Sequence, residues 1–242
     1  MNKCHAKVSL VSAGLAALAL GWTGGVSPVQ ANTLVNLPLL NGSFESPTYN
    51  GTANTIPTNW GFFSSGPQTV GITSAEFLSG SQSLILTAPP SSGGNNQFDG
   101  IYQSFNNNLT YAPTDTYTFS TYLLADSAAP LTGTAVAEIG IEFHTSSGLL
   151  NQSYLTITPS ELSATTWTQF TVTGSPSATE GPTNGADINV VIMVNGGSAT
   201  TSGGSFYADD ATAAVPEPAT LPLALMGLAS LALIVRRKIH RA

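Results

Sequence analysis

AVAEIGIEFH, residues 135–144, sets Ile139, Ile141 and Phe143 on one side of an extended chain and Glu138, Gly140, Glu142 and His144 on the other. Successive side chains of a strand point to opposite faces, so this alternation is that of a strand with one buried face. Residues 187–195 repeat the pattern, with Ile188, Val190, Ile192 and Val194 sharing a face. In residues 116–123, Tyr117, Phe119 and Thr121 alternate with Thr118, Ser120 and Tyr122. Further strands are predicted at 69–73, 83–87, 100–105, 153–157, 166–173 and 205–213. Loops marked by Gly, Pro, Ser and Asn separate them, as at 89–96, 174–186 and 196–204. In 166–173, Trp167 and Phe170 have opposite parity, so that strand is either bulged or buried on both faces.

About nine or ten strands with long connections and no helical periodicity predict an all-β fold, a two-sheet jelly-roll β-sandwich. A parallel β-helix would show a short internal repeat, and none is present. The predicted domain spans residues 32–214.

Both ends have the character of processing segments. Lys3 and Lys7 precede an apolar run, residues 8–20, and then a break leading to Val29-Gln30-Ala31. This is the layout of a cleavable signal peptide over residues 1–31, with cleavage after Ala31. Its run of 13 residues is shorter than the roughly 20 that a spanning helix needs. Signal peptidase and the Sec export machinery are the partners this implies. At the other end, Pro216-Glu217-Pro218 sits in a motif at 215–220. A single transmembrane helix is predicted at 219–235, and a basic tail at 236–242 begins Arg236-Arg237-Lys238. The basic cluster anchors the tail in the cytoplasm by the positive-inside rule. These three parts resemble the PEP-CTERM sorting signal, which implies recognition by an exosortase, a membrane cysteine protease. The resemblance also implies transient anchoring in the inner membrane, then release to the cell surface, outer envelope or extracellular matrix.

The charges are segregated. All six Lys and Arg lie in the end segments, whereas twelve of the thirteen acidic residues fall between Glu45 and Asp210. Such a domain has no cationic footprint for phosphates, which argues against nucleic acid as a partner. The one cysteine, Cys4, lies in the signal peptide, so the fold is predicted to stand without disulfides. At 183 residues the domain is large enough to bury a self-sufficient core.

Three further pieces of sequence belong together. They are Asn41-Gly42-Ser43-Phe44-Glu45 with Ile56-Pro57-Thr58-Asn59-Trp60; Gly80-Ser81-Gln82-Ser83-Leu84 with Tyr102-Gln103; and Phe206-Tyr207-Ala208-Asp209-Asp210. In order and spacing they resemble the carbohydrate-binding-module type of jelly roll, the galactose-binding-like fold. The resemblance implies a structural calcium site with Glu45 and Asp209 as side-chain ligands and carbonyls from Asn41 and Gly80. The alternative is that Glu45 and Asp209 accept backbone hydrogen bonds at a sheet end. First and last strands are expected to be neighbours, which would let the two carboxylates converge. Asp210 is expected to be solvated. Trp60 and Trp167 read as core aromatics, and Tyr49, Phe62 and Phe98 as the better candidates for sugar stacking.

No catalytic constellation is legible. A Ser–His–Asp triad has only His144 to draw on, and no nucleophile elbow surrounds any serine. With one His and no Cys in the domain, a zinc site lacks ligands. Glu138 and Glu142 share a strand face but are four residues apart, about 13 Å at about 3.3 Å per residue. That is wide for a glycosidase pair, and they are expected to lie on a solvated face. The chain is therefore expected to be a non-catalytic surface or matrix protein binding a glycan or exopolysaccharide. PEP-CTERM proteins are associated as a family with exopolysaccharide and biofilm. A purely structural acidic matrix protein and a polysaccharide-degrading enzyme stay open as alternatives.

Overall fold

The computed structural model of the chain describes residues 39–89, 97–105, 110–197 and 202–214. The predicted signal peptide and the predicted sorting signal, including Pro216, Glu217, Pro218, Arg236, Arg237 and Lys238, lie outside the described residues. Among the described residues, no helix is long and apolar enough to cross a membrane.

The described residues form ten strands: β1 (Gly61–Ser64), β2 (Val70–Thr73), β3 (Ser83–Thr87), β4 (Phe98–Phe105), β5 (Tyr117–Ala125), β6 (Val136–Thr145), β7 (Gly148–Ile157), β8 (Thr168–Gly174), β9 (Asp187–Asn195) and β10 (Ser205–Ala214). They make two five-stranded antiparallel sheets. The first runs β1-β4-β9-β6-β7 and the second β2-β3-β10-β5-β8. This is an all-β, jelly-roll sandwich. Nine strands stand at the positions predicted from the sequence. The unpredicted one, β1, is a four-residue edge strand whose residues are all half-buried, so it has no alternation to read.

The parity read from the sequence is the parity of the core. Ile139, Ile141 and Phe143 of β6 meet Ile188, Val190, Ile192 and Val194 of β9 between the sheets, all at 2% exposure or less. Phe119, Leu123, Leu84, Leu86 and Phe206 close the core from the second sheet. Each such side chain contributes about 1.5–3 kcal/mol of transfer free energy. The parity conflict in 166–173 resolves differently from either expectation. Phe170, Val172 and Gly174 turn inward along β8, and Trp167, half-buried, stands before the strand begins.

The first and last strands are not neighbours. β10 lies between β3 and β5, and β1 belongs to the other sheet. The Asn41–Glu45 stretch is a turn rather than a strand, and side chains from the family-like motifs hold it in place. Buried Gln82 donates to the carbonyls of Phe44 (2.6 Å) and Pro47 (2.8 Å) and accepts the Tyr49 amide (2.6 Å). Buried Gln103 donates to Leu40 (2.8 Å) and accepts its amide (2.8 Å). The Trp60 indole donates to the Asn41 carbonyl at 3.2 Å, and its ring packs on Phe44 with centroids 5.4 Å apart. A segment without a ladder must satisfy its backbone through side chains, and these amides do so.

Candidate functional site

The outward face of the first sheet is built by parity and register. β6 presents Glu138, Gly140, Glu142 and His144. Across β9 these oppose Met193, Val191, Asn189 and Asp187. Toward β7, Glu138 opposes Thr156, Gly140 opposes Tyr154 and Glu142 opposes Gln152. Beyond β9, β4 adds Gly100, Tyr102 and Ser104, and β1 adds Gly61 and Phe63.

Three glycines on this face stand directly opposite three aromatic residues: Gly61 opposite Tyr102, Gly100 opposite Phe63, and Gly140 opposite Tyr154. Each ring lies where the glycine's missing side chain would stand. A Cβ on Gly61 would meet Tyr102 Cε1 at 2.5 Å, and one on Gly100 would meet Phe63 Cζ at 2.6 Å. One on Gly140 would lie 2.9 Å from Tyr154 Cζ and closer still to Cε1 and Cδ1. The glycines therefore make room for the rings to fold over the sheet, Gly100 being crowded by Met193 Cβ at 2.6 Å as well as by Phe63; the Phe63 and Tyr102 rings are inclined to one another by 48°. Phe63 also contacts Phe98 and Tyr102, at centroid distances of 6.0 and 6.3 Å.

Phe63, Tyr102, Val191, Glu142 and Asn189 line a cleft of about 270 Å³. Its polar groups are positioned by one another. The Tyr154 hydroxyl donates to Glu142 Oε1 at 2.5 Å, and His144 Nε2 lies 2.9 Å from Glu142 Oε2. Asn189 Nδ2 lies 3.2 Å from the same imidazole nitrogen. Ser104 Oγ donates to Asp187 Oδ2 at 2.9 Å and to Asn189 Oδ1. Burial, with the adjacent Glu142 carboxylate, pushes the Tyr154 phenol above its usual range, so it remains a donor. Burial also raises the Glu138 carboxyl, against a hydrogen bond from Thr156 Oγ1 at 3.1 Å. The solvated face expected for Glu138 and Glu142 is thus a half-buried one. The flattened rings cover it, and the Glu142 side chain is only 21% exposed.

Of the stacking candidates read from the sequence, Phe98 is on this face and 39% exposed. Tyr49 and Phe62 pack against the core instead, as does Trp60. Sequence reading missed the roles of Phe63, Tyr102 and Tyr154. Their signal is an aromatic residue cross-strand from a glycine, which becomes visible only once the register is known.

The second cluster surrounds residues 78–82. Glu45 Oε1 accepts the amides of Ser81 (2.9 Å) and Gln82 (3.2 Å), and Oε2 accepts the Ser81 hydroxyl (2.8 Å). Burial works against ionisation there, but these hydrogen bonds hold the Glu45 carboxyl below its usual range. The Glu45 carboxyl lies over Gly80, whose Cβ would come 2.5 Å from Cδ. Asp209, fully buried, accepts the amides of Leu78 (2.8 Å), Ser79 (3.2 Å) and Asp210 (2.8 Å). Burial nevertheless pushes its carboxyl up to about 6. Asp210 is half-buried rather than fully solvated. It sits in the bulge of β10 at φ 47° and accepts the Ser79 hydroxyl at 2.8 Å. The Ala211 amide donates to the Gly42 carbonyl at 2.8 Å, so the 41–45 turn, the 78–82 loop and the β10 bulge meet. The Asn41 carbonyl already accepts the Phe44 amide and the Trp60 indole. Among the described residues, no three His, Cys, Asp or Glu side chains group to hold a metal ion.

Against known proteins, the C-terminal end is decisive. Residues 214–238 match the PEP-CTERM protein-sorting motif. That motif marks an exported, envelope-sorted protein, and here it follows a jelly-roll domain. No curated protein matches the chain. Similar solved structures include an arabinose-bound α-L-arabinofuranosidase, with TM-score 0.50 and 18% identity over 73% of this chain and 26% of that one. The CBM22-1 xylan-binding domain of Paenibacillus barcinonensis Xyn10C has TM-score 0.42 and 13% identity over 65% of this chain and 87% of that one. The enzymatically active domain of bacteriophage CBA120 tailspike protein 4 has TM-score 0.43 and 14% identity, covering 65% and 19% respectively. This chain thus spans about a fifth to a quarter of the tailspike domain and the arabinofuranosidase. The likeness to the arabinofuranosidase is one of fold alone.

Proposed function

We propose that this is an exported surface or matrix protein that binds a glycan chain on the outer face of its first sheet, without catalysis. The observation that carries this reading is the set of aromatic rings folded over glycines beside a polar cleft. A flat aromatic plane suits the apolar face of a pyranose, and Glu142 and Asn189 supply the few convergent polar groups that orient a ligand. Glycosidase chemistry is disfavoured, because Glu138 stands about 13 Å from Glu142 along the strand, wide for the carboxyl pair of either glycosidase mechanism.

In this reading the leader is cleaved after Ala31 and an exosortase acts at Pro216-Glu217-Pro218 while Arg236-Arg237-Lys238 hold the tail in the inner membrane. The released domain meets exopolysaccharide in an envelope or biofilm. Calcium belongs to the same proposal. Glu45 and Asp209 flank the 78–82 loop with no basic side chain in residues 32–214, but all four of their oxygens already accept amides or a hydroxyl, so a bound ion would have to share or displace those bonds. The Gly80 carbonyl is the candidate third ligand. The test is glycan-array binding by the full chain in a sugar-free detergent, with calcium and with chelator, beside the Tyr102→Ala and Phe63→Ala variants. Binding that both variants abolish is expected. Absence of binding by folded protein in either condition would instead favour a structural acidic matrix role.

A further inference from the structure

We infer that the glycan taken by this face is cationic, a chain of amino sugars bearing free ammonium groups. The inference rests on the glycan-binding reading above and deepens it. Three carboxylates share the face: Glu138 and Glu142 on β6 and Asp187 on β9. Glu142 lines the cleft itself. Glu138 is half-buried with a single hydroxyl donor, Thr156. Asp187 Oδ1 is buried without a hydrogen-bond partner among the described residues.

No permanently charged basic side chain of the domain offsets this charge: residues 32–214 contain no Lys or Arg, and the basic group found beside it is the His144 imidazole, 2.9 Å from Glu142 and charged only when protonated. A ligand laid over the rings excludes water from these carboxylates. If it is neutral, the charges lose solvent and gain no counter-charge, which is unfavourable. A uronate or sulfate would add like-charge repulsion. An ammonium brings a positive charge and three donors, and the flat faces of Phe63 and Tyr102 attract a cation as well. The geometry agrees: an equatorial amine projects from the edge of a stacked sugar ring, and Glu142 and Asn189 flank the two rings in the cleft.

The test is titration of the full chain, in sugar-free detergent, with a glucosamine tetramer, its fully N-acetylated counterpart and a neutral xylo-oligosaccharide. Tenfold or greater preference for the free amine is expected. Glu142→Gln should bring that preference close to unity, while Glu161→Gln, an exposed acid outside this face, should retain it. Equal binding of free and acetylated tetramers would overturn the charge selection and leave the glycan reading standing. Preference that survives Glu142→Gln, or that falls equally in Glu161→Gln, would trace it to overall acidity and overturn the assignment to this face. Absence of binding to all three sugars would overturn both readings.

Discussion

Gly140→Ala is a severe test of the flattened-ring geometry. The new methyl would stand 2.9 Å from Tyr154 Cζ and nearer to Cε1 and Cδ1, whereas carbon atoms rest at about 3.5–4.0 Å. The ring has to lift by roughly an ångström or swing aside, which breaks the hydrogen bond from its hydroxyl to Glu142. Overpacking costs about 1–3 kcal/mol, and a lost hydrogen bond to a charged acceptor about 1.5–3 kcal/mol. Against this, Ala confines the unfolded chain more than Gly, returning about 0.4–1 kcal/mol. Net destabilisation of roughly 2–4 kcal/mol follows for the single variant. In a Tyr154→Ala background there is no ring to displace, so the same substitution should become neutral or stabilising by up to about 1 kcal/mol. Urea unfolding of the full chain, followed by the fluorescence of buried Trp60, reads all four corners of the cycle. The same destabilisation in both backgrounds would show that the ring does not occupy the glycine's place, and the platform argument would fall with it.

Asp209 has a folded-state pKa of about 6, above the roughly 3.9 of an unfolded chain, so the folded state takes up its proton first. In chelator, its contribution to stability is therefore fully present below about pH 4 and is lost as pH rises through 6. The stability difference between wild type and Asp209→Asn should change by roughly 2–3 kcal/mol across that window, and parallel curves would refute it. Calcium added at neutral pH should raise the melting temperature of wild type and leave Glu45→Gln/Asp209→Asn unmoved; an equal response in both would place the ion elsewhere. Trypsin should remove only end segments, because residues 32–214 have no Lys or Arg even when unfolded; internal fragments would contradict the boundaries. Replacing Pro216-Glu217-Pro218 with alanines should trap the protein in the inner membrane fraction, and normal release of that variant would remove the exosortase step.

What was legible in the sequence was what has a period or a local signature. Ile139, Ile141 and Phe143 announce a buried face because a strand repeats every two residues, and β6 and β9 follow. The clasp around the 41–45 turn was legible as motif but not as mechanism. Gln82, Gln103 and Trp60 could be singled out, yet their partners on the turn lie 19 to 63 positions away in the chain. Nothing local announces such a separation. β10 was expected beside the first strand because jelly-roll ends are commonly adjacent, whereas the first strand here is a short edge piece in the other sheet. The binding face was least legible. Tyr154 reads as one more strand residue until the β6–β7 register puts Gly140 beneath it, and Glu142 looks solvated until that ring covers it.

The charge segregation links both candidate sites. A domain with twelve carboxylates and no Lys or Arg must keep its acids solvated, bury them with backbone donors, or obtain positive charge from outside. Glu161 takes the first course as an exposed residue that accepts the Thr158 amide at 2.7 Å. Asp209 takes the second, with three amides, and its raised pKa shows that dipoles alone leave the charge under-compensated. Glu138, Glu142 and Asp187 have neither full exposure nor a set of amides, and Glu142 lines the cleft beside Phe63 and Tyr102. Two places in one fold therefore hold negative charge that the chain does not neutralise. Under the proposals above, a compact divalent cation would supply the counter-charge at the loop, and a cationic sugar would supply it on the open sheet face. A domain with no Lys or Arg between residues 32 and 214 draws its counter-charge from outside itself, which is the demand that both proposals meet.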